Sequence, residues 1–255
     1  MIKIKLMLSL FITLMLNANY LMAQSNASEW DYVIVREDIV IPSLTKEYEA
    51  ALADLKLLLA EGKVMDYSYN SHLLDNYHFV HMTPLKKLED IEKGGIEYVA
   101  DKVNKDEFDL IWSDLAATTK TSWNYLLRYR SELSYTPESI YWGEMTPYRR
   151  WNYFYFSPGT EKDVEKLIMA WKTLYEQKNV NYGFRVFSGF IGVERPLYIF
   201  TSWAESPLDY QNNLAGAIEL LGDKGAALWA ETMNHVSDVE TVEGWFLPQY
   251  SYVPE

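Results

Sequence analysis

The sequence predicts an α+β fold in which one chain contains two tandem copies of the element order β-α-β-β-α-β. Strand-like and helix-like segments follow one another in this order twice. The apolar positions of the first helix recur in the second half at a constant offset of 116 residues. Both halves also end on a Ser-Tyr-x-Pro-Glu sequence, at 134–138 and at 251–255. Two such halves predict two antiparallel sheets that pack face to face as a pseudo-dimeric barrel.

The first half begins with Trp30–Val35, whose aromatic and β-branched residues favour a strand. A helix is predicted over 45–61, where apolar residues recur every three or four positions and Gly62 ends the run. The remaining predictions for this half are strands at 64–71 and 77–82, a helix at 106–122 and a strand at 125–135.

The second half begins with a strand at Trp151–Phe156, a Pro-Gly turn and a helix that starts after Thr160. Its apolar stripe matches that of the first helix at the offset of 116. The remaining predictions are strands at 181–187 and 197–202, a short extra helix at 208–221, a helix at 224–237 and a strand at 244–252.

The ends of the halves match at an offset of 117, which places Trp112 opposite Trp229. This match and the shared element order favour an internal duplication, with two unrelated α+β halves as the alternative. The predicted repeats occupy 25–138 and 151–255, and a linker at 139–150 joins them.

The first 24 residues have the layout of a secretory signal peptide, with Lys3 and Lys5 before an apolar run of 11 residues and small residues near Ala23. A membrane anchor is the alternative, but the apolar run is short for a span of about 20 residues. We therefore expect a periplasmic or secreted protein with no membrane association after cleavage.

The composition excludes several classes of chemistry. With no cysteine, the chain offers no thiol nucleophile, no thiolate metal site and no disulfide. A formal net charge of −13 argues against nucleic acid as a partner. The 39 aromatic residues suit either a core or a ligand cavity, and composition does not decide between them.

The two β-α-β-β-α-β units resemble the dimeric α+β barrel superfamily of ferredoxin-like proteins, which includes antibiotic-biosynthesis-monooxygenase-like, stress-responsive barrel, EthD-like and NIPSNAP-like proteins. The resemblance covers the chain from about Trp30 onward and rests on element order. It implies either a monomer with an internal pseudo-dimer or a homodimer. In the implied barrel, odd-numbered Val33 and Val35 are expected under the helices, as are even-numbered Phe154 and Phe156. The other aromatic positions of these strands are expected to face the barrel interior, and they are Trp30, Tyr32, Ile34, Trp151, Tyr153 and Tyr155.

Histidine, arginine and aromatic residues on the predicted strands and helices are candidates for a functional site. The candidate catalytic residues are His81, His78, His235 and Arg185. His78 and His81 share a predicted strand and point to opposite faces, so they are not expected to bind one ligand together. The candidate ligand-binding residues are Tyr32, Arg36, Trp112, Tyr153, Tyr155 and Trp229. For each group a structural role is the alternative, as a core anchor, a surface histidine or an edge-strand charge.

Three functions remain open at this stage. The first is an exported barrel that binds a small apolar or aromatic ligand in an aromatic cavity, with neither cofactor nor metal expected. The second is an oxygenase or isomerase, either cofactor-free or haem-using, because some families of the resembled type bind haem through a helix histidine, as His235 would allow. The third is a module that binds protein or glycan through exposed aromatic residues.

Overall fold

The computed structural model describes residues 30–137, 145–194 and 196–254. Within these ranges there are eight strands, which are β1 Tyr32–Val40, β2 Asn70–Leu74, β3 His78–Leu85, β4 Thr119–Tyr129, β5 Tyr148–Phe156, β6 Arg185–Ile191, β7 Leu197–Ala204 and β8 Val236–Phe246. The helices are α1 Thr45–Glu61, α2 Glu97–Ala100, α3 Lys105–Thr118, α4 Glu161–Lys178 and α5 Pro207–Met233. The predicted signal peptide lies outside the described residues, as does much of the predicted linker. Within the described ranges, no helix combines the length and apolar character needed to cross a bilayer.

The eight strands close into one antiparallel barrel in the order β1-β3-β2-β8-β5-β7-β6-β4. Within each half, the strand that comes last in the chain lies beside the first, and the third lies between the first and the second. The halves meet at two seams, where β2 pairs with β8 and β4 pairs with β6. Closure pairs the edges of both sheets, which removes the open edges that promote aggregation.

The two halves share details of register. The pairing of β1 with β4 shifts between Ile39 and Val40, and that of β5 with β8 shifts between Tyr155 and Phe156. These irregularities are separated by the same 116 positions as the helix stripes. A position in β1 therefore corresponds to the position in β5 that lies 116 residues later.

The repeated Ser-Tyr pair, at 134–135 and 251–252, forms hydrogen bonds between the two halves. Ser134 Oγ accepts a hydrogen bond from the amide of Val186, and Ser251 Oγ accepts one from the amide of Ser71, each at 2.9 Å. The tyrosines that follow make isolated bridges across the same seams, Tyr135 with Phe184 and Tyr252 with Tyr69. The motif thus has a structural role, because it satisfies buried backbone groups where the halves join.

Helices cover the outside of the barrel in two groups. Helices α1 and α3 pack on the first half around Tyr48, Leu52 and Phe79. Helices α4 and α5 pack on the second half around Val164, Ile168 and Tyr198. Each group completes a hydrophobic core between the helices and one part of the barrel wall.

The expected orientation of β1 was wrong. Val40 belongs to the core under α1, so even-numbered residues of β1, including Tyr32 and Ile34, face the helices. Val33 and Val35 are buried and face the barrel interior. In β5 the expectation for Phe154 and Phe156 agrees with the structure, since both pack in the core under α4 and α5.

Several predicted boundaries were also wrong. β4 and β8 begin at Thr119 and Val236, where predicted helices were still running. Their first six residues are mostly polar and largely exposed, so they lack the alternating pattern that identifies a half-buried strand. β2 begins at Asn70, later than expected, and β6 begins at Arg185. β5 begins at Tyr148, inside the predicted linker.

Candidate functional site

Two cavities lie between the barrel wall and the helices, one in each half. We call the cavity under α4 and α5 the apolar cavity and the one under α1 and α3 the polar cavity. They measure about 500 Å³ and about 280 Å³. The barrel interior, where a cavity was expected, holds tightly buried side chains such as Val80, Ile199 and Trp203.

The apolar cavity has walls of aromatic and aliphatic side chains. The barrel contributes the rings of Phe154, Phe156, Phe184 and Phe200. Helix α4 contributes Val164, Leu167, Ile168, Trp171 and Tyr175, and α5 contributes Leu214, Ile218, Leu221 and Trp229. Trp229 is half-exposed and meets Phe154 edge-to-face with ring centroids 6.2 Å apart, so it stands at the mouth.

A few polar groups lie at one end of this cavity. Tyr182 interacts with Tyr210 and Ser202, and burial together with Tyr210 raises the pKa of Tyr182 well above its ordinary value. The Tyr182 hydroxyl therefore remains protonated and, together with the hydroxyls of Tyr210 and Ser202, can orient an oxygen-bearing ligand. Helices α4 and α5 form the roof of this cavity. There, Trp171 Nε1 donates a hydrogen bond to Thr232 Oγ1 at 3.0 Å and so joins α4 to the end of α5.

Helix α5 is broken where it passes over the apolar cavity. Gly222 has φ 54° and ψ −144°, a conformation outside the helical region that strongly favours glycine. Residues on both sides of this break line the cavity, including Leu221 and Gly225. The break therefore helps to set the shape of the cavity roof.

The polar cavity contains a positively charged group backed by an aromatic ring. The guanidinium of Arg36, from β1, lies 4.4 Å from the ring centroid of Trp112, from α3. Its Nε donates to both carboxylate oxygens of Asp38 at 3.0 Å. The ring and the carboxylate hold the guanidinium in one orientation, since stacking and charge-assisted bonds both favour it.

A buried hydrogen-bonded chain runs behind Arg36. The Tyr48 hydroxyl lies 2.7 Å from Asp38 Oδ2 and 2.9 Å from His81 Nε2, and Ser71 Oγ lies 2.8 Å from His81 Nδ1. Burial opposes the charge on Asp38, but the charges and hydrogen bonds of its neighbours, Arg36 first, lower its pKa overall. Burial lowers the pKa of His81 to about 4 against the attraction of Asp38.

The hydroxyl groups of this hydrogen-bonded chain have one proton each. Tyr48 donates its proton to the Asp38 carboxylate. Ser71 Oγ donates to the carbonyl oxygen of Tyr250 at 2.8 Å and also lies within hydrogen-bond distance of His81 Nδ1. Both ring nitrogens of His81 therefore have a hydrogen-bond partner, which fixes the orientation of the ring.

The barrel interior has its own polar groups. His78 Nδ1 bonds to Glu37 Oε1, and Tyr125 donates to Glu37 Oε2 at 3.3 Å. Burial raises the pKa of Tyr153, which also interacts with Tyr125. Arg185 lies deeper in the interior, opposite Thr201 in the β6–β7 pairing.

The predicted site residues divide among these places. Arg36, Trp112 and His81 meet in the polar cavity, and Trp229 lines the apolar cavity. His78, Tyr153, Tyr155 and Arg185 are on the interior face of the barrel, whereas Tyr32 is on the helix-facing side and contacts Phe190. His235 follows α5 and lines neither cavity.

Sequence reasoning missed most of the residues that give the cavities their character. Asp38, Tyr48 and Tyr69 line the polar cavity, Ser71 contacts His81 behind it, and none of the four was a predicted site residue. The acidic Asp38 lies on the same strand face as apolar Ile34 and Val40, and this pattern was the available signal for a buried charge.

The described residues do not fit a histidine-ligated haem. No histidine is among the described residues that line the apolar cavity, the larger of the two. In the polar cavity, His81 is the one histidine among the described lining residues, and both of its nitrogens are in hydrogen bonds, to Tyr48 and Ser71. The described residues also contain no group of three or more side chains placed to hold a metal ion.

Comparisons with known proteins identify the fold. No protein-family profile matches the sequence, and no curated protein matches it significantly. Among solved structures, a candidate monooxygenase from Lactobacillus acidophilus superposes with a TM-score of 0.57 and 9% identity, covering 89% of this chain and 97% of its own. An anthrone oxidase-like protein gives 0.56 and 13%, covering 87% and 93%.

A third structure, a chlorite dismutase mutant from Candidatus Nitrospira defluvii, gives a TM-score of 0.53 with 10% identity and covers 88% of this chain and 94% of its own. Identities this low show shared architecture and carry no statement about shared chemistry. The closed eight-stranded barrel and these superpositions together show that the chain has an antiparallel α+β barrel fold, which the compared structures share.

Proposed function

We propose that this chain is an exported protein that binds a small apolar, aromatic molecule in the apolar cavity. The observation that carries the proposal is a space of about 500 Å³ walled almost entirely by apolar and aromatic side chains. Ligand pockets are typically about 300–1,000 Å³, apolar, with a few polar groups that orient the ligand. The hydroxyls of Tyr182, Tyr210 and Ser202 supply such groups at one end.

We further propose that the two halves are tandem copies of one ferredoxin-like unit and that a monomer forms the whole barrel. The shared strand order, the matching register shifts and the two exchanged Ser-Tyr pairs support this proposal. All eight strands of the closed barrel come from one chain. Size-exclusion chromatography with light scattering should give the mass of one chain, and a dimer mass would contradict the proposal.

Export rests on the first 24 residues of the sequence. The full chain, expressed in a Gram-negative host, should appear in the periplasm or medium with an N-terminus near residue 24, as read by Edman sequencing. Replacement of Leu10 by Arg should interrupt the apolar run and retain the uncleaved chain in the cell. Recovery of an intact Met1 terminus from the exported fraction would contradict the proposal.

Binding can be measured with N-phenyl-1-naphthylamine, an uncharged aromatic probe whose fluorescence rises in apolar surroundings. Ala226 lines the apolar cavity, whereas the neighbouring Ala227 does not, and both are exposed on α5. Ala226→Trp should fill the opening and weaken probe binding at least tenfold, and Ala227→Trp should leave it unchanged. Equal affinities for the two variants, or no binding by the unmodified chain, would refute this site.

A second candidate is an oxygenase or isomerase that acts without haem on an aromatic molecule in the same cavity. The names of two similar structures, a candidate monooxygenase and an anthrone oxidase-like protein, support it together with the aromatic walls. Oxygen uptake after addition of anthrone tests this activity. Uptake above the spontaneous rate that is lost in Ala226→Trp supports an oxygenase, whereas binding of anthrone without oxygen uptake assigns a binding function.

A further inference from the structure

We propose that the polar cavity is a second site, which binds a small planar organic anion such as an aromatic carboxylate through Arg36 and Tyr69. This site lies in the other half of the barrel and takes a different class of ligand. The proposal therefore does not depend on the function proposed for the apolar cavity.

The guanidinium of Arg36 is positioned and retains free donors. Among the described residues, its hydrogen bonds are those of Nε to Asp38, which leaves the two terminal amino groups for a ligand. The Trp112 ring 4.4 Å away and the Asp38 carboxylate prevent the side chain from turning toward solvent. A fixed pair of N–H donors matches the two oxygens of a carboxylate.

Tyr69 supplies an independent observation. Its side chain lines the polar cavity with 3% exposure, and its hydroxyl has no hydrogen-bond partner among the described residues. Burial raises the pKa of Tyr69, so the hydroxyl keeps its proton and is a donor. A buried hydroxyl without a partner costs roughly 1–3 kcal/mol, and an acceptor oxygen on a ligand would remove that cost.

The second half of the same chain shows that the fold does not need these polar groups. The set in the first half consists of Arg36, Asp38, Tyr48 and His81. By the offset of 116 and the strand register, the corresponding residues are Asn152, Phe154, Val164 and Phe200. Three of those four are apolar and belong to the hydrophobic cluster that forms the walls of the apolar cavity. Buried charges weaken a fold relative to apolar residues, so the polar set is better explained by a ligand than by stability.

The charges around the site are compatible with an anion. Asp38 is already paired with Arg36 Nε and the Tyr48 hydroxyl, and His81 is neutral at pH 7. Glu97 also lines the cavity but is exposed, where water screens its charge. The remaining walls, from residues such as Leu52, Leu55 and Leu115, are apolar and suit a planar ring.

Isothermal titration calorimetry with benzoate on the mature chain tests the proposal, with neutral benzamide as the matched ligand. Benzoate should bind at least tenfold more tightly than benzamide. Arg36→Gln should weaken benzoate binding at least tenfold, and Tyr69→Phe should weaken it about fivefold. Arg128→Gln removes the same charge from an exposed position outside both cavities and should leave the affinity unchanged.

Tyr69→Phe removes a hydroxyl that has no hydrogen-bond partner in the part of the chain that the structure describes, so this variant keeps the test informative even if Arg36→Gln fails to fold. No detectable benzoate binding at millimolar concentration would overturn the proposal, as would equal affinity for benzamide or an unchanged affinity in Tyr69→Phe. Binding of N-phenyl-1-naphthylamine should persist in both variants. If a variant lost N-phenyl-1-naphthylamine binding alone, the result would count against the apolar cavity as the probe's site and not against the anion site proposed here.

Discussion

Two glycines of α5 provide a test of why the helix breaks over the apolar cavity. Gly216 and Gly222 would both place an added Cβ in open space, so alanine meets no steric obstacle at either position. They differ in backbone, because Gly216 lies within the helix and Gly222 has φ 54° and ψ −144°. Any difference between the two alanine variants therefore reports on backbone conformation.

The expected effects have opposite signs. Gly216→Ala should raise the free energy of unfolding by about 0.5–1 kcal/mol, because glycine inside a helix loses more backbone entropy than alanine. Gly222→Ala should lower it by about 1–3 kcal/mol, because alanine is strained in that region. The variants should thus differ by about 1.5–4 kcal/mol, or roughly 3–16 °C in melting temperature for a chain of this size.

Urea unfolding followed by circular dichroism measures both free energies, and N-phenyl-1-naphthylamine reports on the cavity. We expect Gly222→Ala to weaken probe binding, since residues on both sides of the break line the cavity, and Gly216→Ala to leave it unchanged. If the two variants were equally stable, the break in α5 would not depend on the conformation of Gly222, and Gly222 would not set the shape of the cavity roof.

Two further predictions concern buried polar groups. Tyr48→Phe should lower the free energy of unfolding by about 1–3 kcal/mol, because it leaves Asp38 and His81 without their shared hydrogen-bond partner. Tyr69→Phe should leave that free energy unchanged or raise it, because the Tyr69 hydroxyl has no partner among the described residues. Urea denaturation of both variants at pH 7 measures the difference. Burial lowers the pKa of His72 well below its ordinary value and that of His81 to about 4, so unfolding takes up protons below pH 6.5 and stability falls as the pH drops toward 4. His72→Leu should reduce the slope of unfolding free energy against pH by about 1.4 kcal/mol per pH unit between pH 4.5 and 6, and an unchanged slope would show that His72 is protonated in the native state.

The sequence predicted helices well where one face carries a complete apolar stripe. The helix at 45–61 has the predicted bounds, because its buried positions and Gly62 mark both its face and its end. The two helices predicted at 208–221 and 224–237 correspond to the two parts of α5, which is interrupted at Gly222. The second part ends earlier than predicted, and β8 begins at Val236. Solvent-exposed strand segments were missed, because they lack the alternation that packing imposes.

The offset of 116 also predicts the orientation of β1. It equates Val40 with Phe156, which was expected under the helices, so it already placed even-numbered residues of β1 on the helix side. The chain of Tyr48 and His81 was beyond such reasoning. Tyr48 lies on α1 and His81 on β3, 33 positions apart, and they meet only because α1 packs over the sheet, which no local pattern encodes.

The seam between β2 and β8 has a consequence for the order of folding. β2 lies near the start of the described chain and β8 near its end, so this pairing has very high contact order and closes a loop that includes most of the protein. During synthesis, the first half can form β1 and its neighbours, but the edge of β2 stays open until the last strand arrives. A chain truncated before Val236 would retain unpaired edges on both β2 and β5, and we expect it to aggregate where the complete chain folds.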